Sequence, residues 1–145
     1  MSKSRVALFA LVVLAAALVL AGCIGQNNAA EAGRVVTIMA DAIERHDVFG
    51  AEAISDVPAA TYQYVFETFS PTKFDPDRVA VIMGEGTATV MFDVFIRQLD
   101  RNGAVISGMT RKCWTVIRYP DGWKVSFADS KTKPETWPEG PDILL

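Results

Sequence analysis

The sequence is poor in the side chains that most often hold metals or act as nucleophiles. It contains one histidine, His46, and two cysteines, Cys23 and Cys113, among 145 residues. A tetrahedral zinc site needs four ligands, which so few histidines and cysteines could supply only together with carboxylates, so no metal site is predicted. No Gly-x-Ser-x-Gly, Ser-x-x-Lys or Cys/His nucleophile pattern occurs, and Gly84-Glu85-Gly86 lacks the third glycine and the helix of a phosphate-binding loop. The sequence therefore predicts neither a metal nor a cofactor.

Positive charge is also scarce. The chain carries 14 Lys and Arg against 17 Asp and Glu, a net charge of −3, without a cluster of basic and aromatic residues. Nucleic-acid binding depends on neutralising phosphates with Lys and Arg, so this composition argues against it. Half of the residues are hydrophobic, and no repeat or low-complexity tract dominates. These features indicate one globular domain.

Hydrophobic residues are concentrated near the N-terminus. Two basic residues precede an uncharged apolar run at 6–20, the order typical of an export signal. The run ends Leu20-Ala21-Gly22-Cys23, which resembles the lipobox of prokaryotic lipoproteins. The resemblance implies that residues 1–22 are removed and that Cys23 carries lipid. Two alternatives stay open: a plain secretory signal, and an uncleaved anchor over 6–24, whose length approaches the ~20 residues needed to cross a bilayer.

A lipid on Cys23 would hold the rest of the chain at the extracytoplasmic face of the cell membrane. Removing both basic residues of the signal would leave a net charge of −5. Whether the membrane is inner or outer stays open, as does bacterial or archaeal origin. With Cys23 acylated, Cys113 has no disulfide partner, and its apolar strand context predicts a small buried core residue.

Periodicity divides the remaining chain into helices and strands. Residues 23–32 are small and polar and are predicted to form a lipidated tether. An apolar stripe then predicts a helix from about Arg34 to His46, and Asp47 is placed to cap a second helix that ends near Ile54. Residues 62–69 repeat the i, i+3, i+4, i+7 spacing of a third helix, although their aromatic and β-branched content also permits a strand.

After the segment Asp75-Pro76-Asp77 the apolar period changes from 3.6 to 2. Strands are predicted at 79–83, at 87–97, at 104–119 with a bend near Ser107-Gly108, and at 123–127, separated by glycine-containing turns. Helices followed by an antiparallel meander predict the α+β class, with the helices on one face of the sheet. Residues 130–145 contain three prolines and are predicted to form an extended C-terminal tail.

Three segments of the sequence resemble those of a known family. Ala40–Asp47, Gly84–Val90 and the closing Trp114–Val125, with its Gly-Trp-Lys-Val ending, are similar to nuclear transport factor 2-like (NTF2-like, SnoaL-like) domains. The resemblance covers most of residues 33–129. It implies a cystatin-like, cone-shaped roll whose curved sheet and helices enclose a pocket. Some relatives are isomerases or dehydratases that use Asp, His or Tyr inside the cone and others only bind, so the fold alone assigns no function.

Three residues are candidates for catalysis: His46, Asp93 and Tyr62. His46 is the only near-neutral proton carrier, but its place on the apolar stripe near a helix end favours a structural role. Met91 and Phe95 flank Asp93, an apolar setting that would raise the pKa of its carboxyl group. Its strand phase nevertheless places it opposite the uninterrupted apolar face and favours a solvated or interface position. Candidate pocket residues are four aromatic side chains: Tyr64, Phe66, Phe92 and Trp114.

The sequence is compatible with two kinds of function. The face with Met91, Asp93 and Phe95 is partly apolar on a strand whose other face is fully apolar, which predicts a contact with a second copy or an envelope protein. The favoured function is a membrane-anchored lipoprotein whose domain binds a protein partner or a small apolar ligand without catalysis. The alternative is an enzyme, either ketosteroid-isomerase- or dehydratase-like or hydrolase-like, that uses a pocket Asp, His or Tyr.

Overall fold

A computed structural model describes residues 28–130 as three helices followed by a four-stranded sheet. Helix α1 covers 28–44, and the other elements are α2 Val48–Ala53, α3 Ala59–Phe69, β1 Lys73–Met83, β2 Thr87–Leu99, β3 Val105–Tyr119 and β4 Gly122–Ser126. The strands are antiparallel in the order β1-β2-β3-β4. This is the α+β architecture that the sequence predicts. The predicted signal, the lipid site at Cys23, half of the tether and nearly all of the tail lie outside the described residues. The other half of the predicted tether, residues 28–32, is instead the first part of helix α1.

Helix α1 ends two residues earlier than its apolar stripe predicts. Asp47 N donates to Ala42 O at 2.8 Å and His46 N donates to Ile43 O at 3.1 Å, the two bonds of a Schellman motif. His46 takes the left-handed position with φ of 54°, where glycine is usual. The placement of His46 on the helical stripe was therefore wrong, because its backbone terminates the helix.

Helix α2 has a side-chain cap, and backbone hydrogen bonds connect the segment between α2 and α3 to the sheet. Asp47 accepts from Gly50 N at 2.9 Å and caps α2, as predicted. After α2, Ile54 O accepts from Val125 N at 2.8 Å, and Asp56 N donates to Val125 O at 3.1 Å. These bonds attach the segment between the helices to β4. The third helix, left open between helix and strand by the sequence, is confirmed over Ala59–Phe69.

Strand β1 begins earlier than predicted. It starts at Lys73 and contains Pro76, although the Asp-Pro-Asp segment was interpreted as a break. Proline is tolerated because β1 is an edge strand, where a missing N–H can face solvent. The pairing with β2 shifts register between Asp77 and Ala80, and Arg78 in this irregularity has φ of 53°.

The core lies between the helices and one face of the sheet, which we call the inner face. Buried residues of α1 and α3 pack against alternate residues of β2 and β3. Its largest fully buried side chains are Trp114, Tyr62, Phe74, Phe92, Met39 and Ile43. The opposite side of the sheet, the outer face, carries no helix among residues 28–130. Within that same range, none of the helices has the length and apolar character to cross a bilayer.

Candidate functional site

The inner face of the sheet is filled by an aromatic cluster. The ring of Trp114 lies edge-on to Phe92 at 4.8 Å and to Phe127 at 5.3 Å, and it stacks on Phe74 at 6.1 Å between centroids. Phe92 and Trp114, two of the predicted pocket residues, are thus brought together as packed core. Edge-to-face and offset-stacked pairs of this kind add stability beyond the buried area alone.

Tyr62 belongs to the same interior and is hydrogen-bonded. Its hydroxyl lies 2.6 Å from Ser55 Oγ, which itself donates to Ala51 O at 2.8 Å, so the Tyr62 hydroxyl is the donor of the pair. Burial is the main cause that raises the pKa of the Tyr62 phenol, opposed in part by the bond to Ser55. Tyr62 therefore stays neutral at physiological pH. A neutral phenol engaged with Ser55 is suited to holding α2 and α3 together.

His46 is held by contacts that tie three elements together. Its ring stacks on Phe66 of α3 at 5.3 Å, and its Nε2 lies 2.7 Å from Pro71 O, just before β1. A carbonyl oxygen only accepts, so Nε2 carries the proton in this bond. Tyr62 contacts the same Phe66 ring at 5.8 Å. His46 and Tyr62 thus lie near one another, but His46 Nε2 and the Tyr62 hydroxyl are already bonded within the fold.

Asp93 lies on the outer face, on the other side of the sheet from Tyr62. Its Oδ1 accepts from Arg111 Nε at 2.9 Å, and its Oδ2 lies 3.9 Å from Arg78 Nη1. The hydrogen bond from Arg111, helped by the charges of both arginines, lowers the pKa of the Asp93 carboxyl. The apolar neighbours do not raise it, so Asp93 is ionised at neutral pH and is a poor general base.

Tyr64 and Cys113 do not lie where the sequence places them. Tyr64 is 60% exposed on α3 and does not join the buried aromatic residues of the predicted pocket. Cys113 is half-buried on the outer face, opposite Met91 of β2, and is not a core residue. Cys113 alternates with the buried residues 112 and 114 of its strand, and Tyr64 lies off the buried face of α3, which is formed by Tyr62, Val65 and Phe66.

Sequence reasoning missed a buried lysine. Lys112 of β3 is only 2% exposed, and it lies on the inner face opposite Phe92 and two positions before Trp114. Burying an ammonium group is costly unless its charge is compensated. The signal was available in the strand alternation, because residues 112, 114 and 116 share one face once Trp114 is assigned to the core.

The outer face carries exposed apolar side chains around the Asp93–Arg111 pair. Phe95 is 37% exposed, and Met109, its partner across β2 and β3, is 63% exposed. Val105 at the start of β3 is 61% exposed. Single exposed apolar residues are ordinary, but these lie together on one face that no described helix covers.

A depression opens at the end of this face. It has a volume of about 460 Å³ and is lined by Thr72, Lys73, Phe95, Arg97, Val105 and Ser107. Lys73 Nζ lies 3.4 Å from Glu44 Oε1, whereas no carboxylate of residues 28–130 lies within ion-pair distance of Arg97. The depression therefore combines two apolar walls, two hydroxyls, the Lys73 ammonium and a guanidinium that has no carboxylate partner among the described residues. Its residues come from β1, β2, β3 and the chain before β1. The sequence alone could not predict the depression, because these residues meet only when the strands are aligned in their register.

No metal site accompanies these features in the described part of the chain. Nowhere between residues 28 and 130 do three His, Cys, Asp or Glu side chains gather closely enough to hold an ion.

Comparison with solved structures identifies the architecture. A protein from Kribbella flavida, Kfla4162, superposes with a TM-score of 0.62 at 14% identity, covering 82% of this chain and 97% of that one. An NTF2-like family protein from Streptomyces avermitilis, named as a candidate dehydratase, gives 0.58 at 17% identity, covering 70% and 93%. An NTF2-like protein with a cystatin-like fold from Novosphingobium aromaticivorans gives 0.52 at 17% identity, covering 79% and 84%. The fold is NTF2-like.

The similarity to NTF2-like proteins is established by the comparison of structures. No protein-family model matches the chain, and no curated protein matches its sequence. Identities of 14–17% therefore establish the fold without transferring an activity. The sequence resemblance to NTF2-like domains is confirmed at the level of fold.

Proposed function

We propose that this chain is a membrane-anchored, extracytoplasmic binding protein, held by lipid on Cys23, whose outer face docks an acidic and partly apolar segment of another envelope protein. The observation that carries the proposal is the depression at the end of that face. Phe95 and Val105 offer apolar contact there, and Arg97 offers a cation without a described carboxylate partner. A guanidinium binds a carboxylate with two parallel hydrogen bonds, so an acidic residue beside an apolar one fits this surface.

The positions of the candidate catalytic residues support binding over catalysis. A catalytic site needs titratable groups that converge on one reacting atom. Asp93 is engaged by Arg111 on the outer face, while Tyr62 and His46 are bonded to Ser55 and Pro71 on the helical side. In these contacts, Asp93, Tyr62 and His46 stabilise the folded structure.

A peptide titration tests the docking site on the purified full-length protein in mild detergent. The probe is a fluorescent peptide that alternates glutamate and leucine, compared with a matched peptide that carries lysine in place of glutamate. Arg97→Glu should weaken binding of the acidic peptide at least about tenfold, because a hydrogen bond to a charged group contributes ~1.5–3 kcal/mol. Raised salt should weaken it as well.

The matched control is Arg34→Glu, which changes the net charge equally at an exposed position of α1. It should leave the affinity within about twofold, since its effect on the outer face is only long-range and screened. Equal affinity for the acidic and basic peptides, or an equal loss of affinity in the two variants, would show that Arg97 does not recognise the acidic side chains of the ligand.

The enzyme alternative keeps one supporting observation. The Streptomyces avermitilis protein of similar fold is named as a candidate dehydratase, and the interior between helices and sheet contains two ionisable groups, Tyr62 of α3 and Lys112 of β3. A dehydratase or isomerase activity that survives Asp93→Asn and disappears in Lys112→Met would favour this alternative and place the reaction on the inner face.

A further inference from the structure

Part of strand β3 forms an open edge of the sheet in the described range. Strand β3 has 15 residues, but β4 pairs only with its last part, Thr115–Tyr119. Beside Val105–Arg111, on the side away from β2, residues 28–130 supply no strand. An open row of backbone N–H and C=O groups readily accepts another strand, so proteins usually protect such an edge with charged residues or proline.

Most of this open stretch lacks that protection. The segment Val105–Thr110 contains no charged residue and no proline. Val105 and Met109 on the outer face are 61% and 63% exposed, and Ile106 on the inner face is 46% exposed. The edge therefore offers an added strand apolar contact on both faces of the sheet as well as backbone hydrogen bonds.

The register shows which backbone groups face the open edge. Arg118 N donates to Gly86 O on the β2 side, whereas Thr115 N donates to Ser130 Oγ on the other side. Strands β2 and β3 pair without a shift, so this direction alternates regularly along β3. Odd-numbered residues of β3 therefore point their backbone groups to the open edge and their side chains to the outer face. Those of the open stretch are Val105, Ser107, Met109 and Arg111.

The outer-face depression lies at the beginning of this open stretch. Val105 and Ser107 belong both to the open edge and to the lining of the depression. Arg97 is the cross-strand partner of Ser107 on one side and of Lys73 on the other, so two cations lie directly opposite one another. Like charges in that position repel, and within residues 28–130 only Glu44, 3.4 Å from Lys73 Nζ, compensates them. An anion bound beside Arg97 would offset the remaining charge.

An added antiparallel strand would carry its C-terminal end toward that cation. Strand β3 runs from Val105 to Tyr119, so a strand antiparallel to it ends beside Val105. Neighbouring strands lie ~4.8 Å apart, so the added strand would be about 10 Å from β2. The last residue of that strand, turned onto the outer face, and the long side chain of Arg97 can together cover this gap.

We propose that the partner segment docks as an antiparallel strand added to the open edge of β3, with its own C-terminal carboxylate bound by Arg97 in the depression. This rests on the proposed function and names the part of the partner that is recognised. In strand addition, backbone hydrogen bonds supply affinity and neighbouring pockets supply specificity. The guanidinium would hold the carboxylate with two parallel hydrogen bonds, while Phe95 and Val105 contact an apolar last side chain.

Charge favours such a partner strand over a second copy of this chain. A two-fold pairing of the whole stretch Val105–Arg111 with itself would place Arg111 of the second copy opposite Val105, and Met109 opposite Ser107. That pairing would bring no carboxylate to Arg97. A chain that ends beside Val105 brings one by its direction alone.

The terminal carboxylate is tested with two forms of one peptide on the full-length protein in mild detergent. The probe is the glutamate–leucine peptide ending in leucine, made with a free C-terminal carboxylate or with a C-terminal amide. The free acid should bind at least about tenfold more tightly, because the amide lacks the charge that Arg97 would bind. In Arg97→Gln this preference should fall to within about twofold, and in the exposed control Arg34→Gln it should persist.

Amide hydrogen exchange tests the added strand in the same complex. In the free protein the amides of Ser107 and Met109 face the open edge and should exchange quickly with solvent. Saturation with the free-acid peptide should slow both at least about tenfold. The amides of Gly108 and Thr110, which face β2, should be slow with and without peptide.

Other results would overturn the proposal. Peptide binding that leaves the exchange of Ser107 and Met109 unchanged would show that the partner does not add a strand. Slow exchange of both before peptide is added would show that the edge is already covered, by a second copy if the protection grows with protein concentration. Equal affinity for the acid and the amide, or a preference that survives Arg97→Gln, would overturn recognition of the terminus and leave docking on the outer face standing. Failure of both peptide forms to bind would overturn the proposed function itself.

Discussion

Replacing Trp114 with alanine should lower the free energy of unfolding by about 3–5 kcal/mol, the largest loss expected from a single substitution here. Trp114 is 1% exposed and its ring contacts Phe74, Phe92 and Phe127. Truncation removes these contacts and leaves a cavity that rigid neighbouring strands cannot fill. Domains of this size are stable by only ~5–15 kcal/mol, so the variant should be close to unfolding at physiological temperature.

Denaturant titration followed by circular dichroism measures this loss. Phe49→Ala is the matched control, because Phe49 is also aromatic but is 74% exposed on α2. It should change stability by no more than about 0.5 kcal/mol. A loss below about 1 kcal/mol for Trp114→Ala would mean that the aromatic cluster is not the centre of the fold.

Replacing Cys23 with serine should abolish lipid attachment completely. Lipidation forms a thioether on the sulfur of the motif cysteine, and serine offers no thiol. Metabolic labelling with a lipid precursor should mark the wild-type chain and leave Cys23→Ser unlabelled. Two acyl chains give stable membrane binding where one is marginal, so under the proposal the lipid on Cys23 would hold the processed domain at the membrane.

The second cysteine provides the control for this experiment. Cys113→Ser should keep the full label, because Cys113 is half-buried in β3 and lies outside the lipobox motif. Mass spectrometry of the wild type should find Cys23 as the first residue. Label retained in Cys23→Ser, or a wild-type chain that begins at residue 1 without lipid, would favour the uncleaved anchor instead.

The general architecture was predictable because its signals are local. The change from helical to alternating apolar period marked the order of elements, and Asp47 marked the start of α2. The start of β1 was missed because Asp75-Pro76-Asp77 is typical of a break, and only its edge position in the sheet makes a strand possible there. The end of α1 was missed because a histidine in the left-handed position has no sequence signal comparable to glycine.

The candidate site was less predictable because it depends on register. The Asp93–Arg111 pair joins residues 18 apart that meet only when β2 and β3 are aligned. The depression likewise unites Lys73, Arg97 and Ser107 from three strands. The alternation of residues along β2 predicted that Asp93 and Phe95 share a face. It could not predict that Arg111 and Arg78 lie beside Asp93. Those cations reversed the expected direction of the Asp93 pKa shift.

Site-specific photo-crosslinking in intact cells tests most directly whether the outer face is the functional surface. A photoreactive residue is placed at Met109 on the outer face or at Tyr64 on α3, positions of closely matched exposure at 63% and 60%. The account predicts a crosslink to another envelope protein from Met109, lost when Arg97→Glu is added, and none from Tyr64. A crosslink from Tyr64 with none from Met109, or a Met109 crosslink that joins only two copies of this chain, would contradict it.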